Sequence, residues 1–214
     1  VITDQREIFK NTINKDVTAI SQAFTAYKEV LQIYDNGLPL PEDITLVWAD
    51  DNYGYIQRLS NAQEQQRPGG AGVYYHLSYW GRPHDYLWLD STHPLLVWEE
   101  MSKAYQTQCD RIWVVNVGDI KPIEYTMSLF LAMAYNMKRF DSQLSIKAHL
   151  REWLGNIFQE HSTAMADLHW EHYTLAFERR PEFMGWSQTE PITPVTFTEY
   201  SHFNNNDEAQ KRLD

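Results

Sequence analysis

Three short runs gather the residue types that can break a covalent bond in water. They read Trp48-Ala49-Asp50-Asp51-Asn52-Tyr53-Gly54, then Tyr75-His76-Leu77-Ser78-Tyr79-Trp80-Gly81-Arg82-Pro83, then Asn116-Val117-Gly118-Asp119-Ile120-Lys121-Pro122. Paired carboxyls are the groups that glycosidic cleavage needs: one protonates the leaving oxygen while the other activates water or attacks the sugar, and their separation decides the stereochemistry. Asp50, Asp51 and Asp119 are the candidate catalytic carboxylates, and Asn52, His76, Tyr79, Arg82, Asn116 and Lys121 the candidate substrate ligands. Each run also has a plainer reading. Asp50-Asp51-Asn52 fits an Asx turn closing a strand, Asp119 fits a helix cap, His76 fits a hydrogen-bonded core imidazole, and Tyr79 and Trp80 fit packing alone. The recurrence of such runs at equivalent places favours a site.

Those places are set by the elements around them. Ile44 to Ala49 reads as a buried strand, Gly72 to Tyr79 as a second and Arg111 to Val117 as a third, so each cluster follows the end of a strand. The connections are too long for hairpins and include helices from Leu95 to Gln106 and from near Pro122, the latter with Met127, Phe130, Leu131 and Ala134 inside. That alternation predicts parallel strands and an α/β fold. With about three strands, the expectation is a partial (β/α)8-type barrel over residues 1–140, in which strand ends build the site. Upstream, Ile13, Val17, Ile20, Phe24, Tyr27 and Leu31 step by fours and threes, which predicts one helix from Thr3 to Asn36 ended by Gly37. From residue 141 to 180 two helices and no strand form an α-helical annex, and 181–214 reads as an extended or partly disordered tail.

Composition narrows the partners. Eighteen Lys and Arg against 29 Asp and Glu give a formal charge of −11, which opposes nucleic acid and anionic membrane surfaces. No apolar run is long enough to span a bilayer. Cys109 stands alone, so neither an internal disulfide nor a cysteine metal cluster is expected. The chain opens Val1-Ile2-Thr3-Asp4 without an initiator Met or signal peptide, and is expected to be a mature or excised segment. Gly69-Gly70-Ala71-Gly72 precedes a strand rather than joining a strand to a helix, which argues against a phosphate loop. His169 and His172 share a helical face near Glu171, but a solvated face explains them more simply than zinc. Glu99 and Glu100 read as exposed mid-helix acids.

The runs VWADDNYGYIQRLS, RPGGAGVYYHLSYWGRPHDYLWL, RIWVVNVGDIKPIEY and RRPEFMGW together resemble glycoside hydrolase family 115, over about residues 40 to 185. The resemblance implies a partial chain of a xylan α-1,2-glucuronidase that releases glucuronic acid or its 4-O-methyl ether with inversion, without metal or cofactor. It places Asp50, Asp51 and Asn52 at one wall of the pocket, His76 and Tyr79 at a second, and Asn116, Asp119 and Lys121 at a third. The substrate carries a carboxylate, for which Arg82 and Lys121 are the available cations. The partners it implies are an acidic xylan-derived oligosaccharide or polysaccharide, and the rest of a parent chain or a second copy; the implied location is secreted or periplasmic. The alternative is a non-catalytic carbohydrate-binding or structural fragment, with Tyr79, Trp80 and Trp88 as a stacking platform.

Overall fold

The computed structural model describes residues 1–78 and 90–178. The chain divides into two compact units. The first holds Val1–Asp51, Ile56–Tyr75 and Ser102–Val114; the second holds Asn52–Tyr55, His76–Met101 and the residues from Val115 onward.

The expected helix from Thr3 to Asn36 is three elements: α1 (Ile2–Thr12), β1 (Ala23–Ala26) and α2 (Glu29–Asp35). Local polar chemistry ends α1. The Asn14 side chain accepts the Asp16 N–H at 3.0 Å, and Asp16 Oδ1 accepts from the Thr18 N–H and hydroxyl at 3.1 and 2.6 Å. These bonds offer the backbone an alternative to helix. Beyond them, Ala23 to Ala26 pair in parallel with β2 (Thr45–Ala49), from Ala23↔Thr45 to Ala26↔Trp48. A ladder to a strand more than twenty residues away therefore overrides a helical period. The expected stop does hold: Gly37, at φ +94°, donates to the Tyr34 carbonyl, and Leu38 donates to Ile33, the paired bonds of a Schellman end to α2.

β3 (Ala71–His76) continues the sheet, with Leu46↔Ala71 through Ala49↔Tyr74, and β4 (Trp113–Asn116) lies beyond it. Val73 donates to Ile112, and Leu77 to Asn116, so partner numbers rise together and β4 is parallel too. The α/β class stands, with four parallel strands in the order β1-β2-β3-β4 where three were expected.

One face of the sheet carries Leu46, Trp48, Ala71 and Val73, all buried. Trp48 meets Tyr34 of α2 edge-on at 5.8 Å and donates from Nε1 to Ser60 Oγ at 2.8 Å. The Arg58 guanidinium lies 4.2 Å from the Trp48 ring and forks onto Glu64 with two bonds of 2.7 Å. Burial raises the Glu64 carboxyl, but Arg58, the Asn61 N–H and the Tyr34 hydroxyl pull it down, and the balance leaves it below its usual value. Cys109 is buried and its thiol donates to Ser60 Oγ at 3.3 Å, a packing role.

The glycine run is a close-approach device. A Cβ on Gly69 would lie 2.5 Å from the Ile44 carbonyl oxygen, and one on Gly72 would collide with the Ile112 carbonyl. Only a bare backbone lets β3 enter between β2 and β4.

In the second unit, α3 (Pro94–Gln106) begins, and α4 (Glu124–Tyr135), α5 (Gln143–Phe158) and α6 (Ser162–Glu178) follow. α4 is apolar nearly all round, so period alone cannot choose its face. It buries Tyr125, Thr126, Leu129, Phe130 and Met133; of the expected stripe only Phe130 is buried, and Leu131 is 53% exposed. α5 starts where Ser142 donates its N–H to Ser145 Oγ at 3.3 Å, and it buries Ile146, Leu150 and Leu154 at intervals of four. Glu100 corrects its reading as exposed: it is 2% exposed.

Candidate functional site

In the first unit the register sets out one end of the sheet. Side chains alternate along a strand, so Val47 and Ala49 oppose the Trp48 face that α2 covers. Tyr74 lies beside Ala49, and Tyr27, one residue past the Ala26↔Trp48 pair, meets Tyr74 edge-on with centroids 6.3 Å apart. Tyr27, Ala49 and Tyr74 thus form a row on the face away from α2. Asp51 follows Ala49 by two residues, is half-buried and accepts from Gln57 Nε2 at 3.0 Å. Asp50 is 3% exposed, and its N–H donates to the Tyr74 carbonyl at 3.3 Å, extending the ladder.

A strand end that sequence reasoning missed lies beside these. β1 runs out into Tyr27-Lys28, just past its last pair Ala26↔Trp48, and Glu29 opens α2 directly after. Lys28 has φ +51°, its Nζ lies 5.0 Å from the Tyr27 ring centroid, and Glu29 is exposed. The signal was a four-residue strand hidden inside a helical period; the polar triplet after Ala26 matches the polar run at the end of β2.

In the second unit Asn52 takes φ +72° directly after Asp51. His76, at the end of β3, is 2% exposed. The Asn116 carbonyl accepts from the N–H groups of Leu77 and Ser78 at 2.9 and 3.1 Å, which brings the ends of β3 and β4 together, and Asn116 Oδ1 accepts from Gly118 at 3.3 Å. Asp119 is exposed and does not cap α4, whose N-cap position is Ile123. Lys121 is 89% exposed, 3.9 Å from Glu124. Tyr79, Arg82, Trp80 and Trp88 lie outside the described residues, as does the 181–214 tail. Among the described residues no group of three or more His, Cys, Asp or Glu is placed to hold a metal ion, and no helix is long and apolar enough to cross a membrane.

A second cluster that the sequence did not announce surrounds Asp90, 5% exposed. Its two carboxylate oxygens accept from Thr126 of α4 and Tyr173 of α6, both at 2.8 Å, and its carbonyl accepts from His172 Nε2 at 3.1 Å. Burial pushes the carboxyl up to about 6 against the downward pull of both hydroxyls and His172. Burial, with Asp90 adding to it, likewise raises the Tyr173 and Tyr125 hydroxyls. His93, edge-on to Trp170, Tyr173 and Phe177, is held down to about 4 by burial and by Lys147.

Residues 1–183 match the family model described as glycosyl hydrolase family 115. The chain belongs to that family. A solved family 115 structure, described as a 4-O-methyl-α-glucuronidase with specificity for decorated arabinogalactans, is similar to it at 44% identity and a TM-score of 0.86. The similarity covers 100% of this chain and 28% of that one, so the chain spans just over a quarter of its structural relative. Comparison with curated proteins gives no match. The family 115 match covers the four strands and six α-helices of the described residues.

Proposed function

We propose that this chain is part of an enzyme that hydrolyses α-linked glucuronic acid, or its 4-O-methyl ether, from a plant polysaccharide with inversion. The family match over residues 1–183 carries the reading. In it, Asp50, Asp51 or Asp119 act as acid or base, with Glu29 as a further carboxylate at the same sheet end as Asp51. Asn52, His76 and Tyr79 contribute to the sugar pocket, while Arg82, Lys121 and Asn116 hold the uronate and hydroxyls. Of the carboxylates, Asp51 is favoured, because it is half-buried and follows directly on the end of β2, where a barrel builds its site.

Two polymers fit. Glucuronoxylan is the substrate that the sequence motifs imply, and the arabinogalactan specificity attributed to the structural relative favours a second reading in which galactose carries the uronate. The test uses the longer protein that the family architecture implies, assayed for glucuronic acid release from glucuronoxylan oligosaccharides and from glucuronidated arabinogalactan. Asp51→Ala should lower turnover on the order of 10²- to 10⁴-fold on the preferred polymer, with thermal stability retained. Unchanged rates would remove Asp51 from the site. Sugar binding without turnover in the unmodified protein would replace the enzyme by the carbohydrate-binding alternative.

A further inference from the structure

An open cavity of about 420 Å³ lies within the second unit, between the first turn of α4 and helices α5 and α6. Asp90, Glu124, Tyr125, Trp153, His169 and His172 are among its lining residues. The size falls in the range of small-ligand sites, roughly 300–1,000 Å³.

The hydrogen bonds these residues already make determine what they can still offer. The Tyr125 hydroxyl is committed to the Ile146 carbonyl at 3.3 Å, and the Tyr173 hydroxyl to Asp90. His169 Nδ1 lies 2.8 Å from the Met165 carbonyl, which can only accept, so in the neutral ring Nδ1 carries the hydrogen and Nε2 keeps its lone pair. His172 is the converse: Nε2 donates to the Asp90 carbonyl, and Nδ1 keeps a lone pair. Glu124 contributes a carboxylate. The polar capacity left is therefore acceptor capacity, beside the half-buried Trp153 ring, which meets Tyr125 edge-on at 5.5 Å.

A fitting ligand brings hydroxyl donors and an apolar face to lay on an indole, which is the chemistry of a pyranose. Asp90 and Glu124 oppose an anion, so the uronate itself is the wrong sugar. We propose that this cavity is a subsite for a neutral pentosyl or hexosyl unit of the polysaccharide, an assignment that rests on the hydrolase reading above. His169 and His172 thus serve as acceptors for a sugar instead of ligands for zinc.

The test is an NMR titration of the 214-residue chain with xylobiose, with β-1,6-galactobiose and with glucuronic acid, following the Trp153 indole N–H in the unaltered chain and the backbone N–H groups of α5 and α6 in every variant. One neutral disaccharide should give a saturable shift, and Trp153→Ala should weaken it roughly tenfold, the scale of a lost aromatic contact. His169→Ala, on a half-buried residue, serves as the second variant should Trp153→Ala fail to fold. Absence of a saturable shift with both neutral sugars, binding unchanged in the folded variants, or tighter binding of glucuronic acid would overturn the proposal. Neutral-sugar binding without glucuronate release by the longer protein would keep the subsite and remove the hydrolase; release without such binding would do the reverse.

Discussion

Two buried side chains within the second unit titrate against each other. Asp90 is raised to about 6 from an ordinary 3.8, so the folded chain holds a proton that the unfolded chain has lost, and its contribution to stability falls as pH rises across that interval. His93 is lowered to about 4 from 6.5, so its contribution falls as pH drops across nearly the same interval. The slopes have opposite signs between about pH 4 and 6 and offset each other. Asp90→Asn should therefore give a chain whose melting temperature falls on acidification from pH 6.5 to 4 more steeply than that of the unaltered protein. Equal slopes in the two proteins would show that Asp90 is not the proton-binding group. Neither role was legible in the sequence, because the partner that fixes Asp90, Tyr173, lies 83 residues away. The strand end before Asp50 and Asp51 was legible because it closes an apolar run. The end of β1 before Glu29 was not, because that strand is too short to break the helical period around it.

At the scale of elements, parallel strands could be read from the long connections between apolar runs, and the Pro94 start of α3 and the Gly37 stop of α2 from residue chemistry. The face of α4 could not be read, since apolar residues surround it. Glycines give a matched test of which positions the packing constrains. Gly72→Ala drives a methyl into the Ile112 carbonyl and should cost about 1–3 kcal/mol or more, as overpacking does. Gly155→Ala, in α5 with nothing within 4 Å of the new carbon, should instead stabilise by roughly 1 kcal/mol. Urea midpoints of the two variants would separate these signs. A tolerated Gly72→Ala would mean that β3 and β4 are not seated as closely as described.

At the scale of the whole molecule, the strand order leaves β1 and β4 as edges among the described residues, and Ile112, just before β4, and Val114 within it are 43% and 42% exposed. An open parallel edge invites another strand, and an active site distributed over eight strand ends is not assembled from four. The 214-residue chain by itself should release no glucuronic acid from glucuronoxylan or arabinogalactan oligosaccharides. Robust turnover by a monomer, assayed alongside its mass in solution, would show instead that the site is complete within these residues.

The bonds from Thr126 and Tyr173 to Asp90 also bear on how the family could be cut and rejoined. A boundary near residue 140 looks natural, since among the described residues strands lie before it and only helices come after. A shortened protein ending there would nevertheless lose Tyr173 and His172, leaving one oxygen of a buried carboxylate without its donor. The annex cannot be treated as an interchangeable cassette: grafting α5 and α6 from a relative requires a tyrosine that arrives at Asp90, and recombination points belong in loops that this cluster does not span.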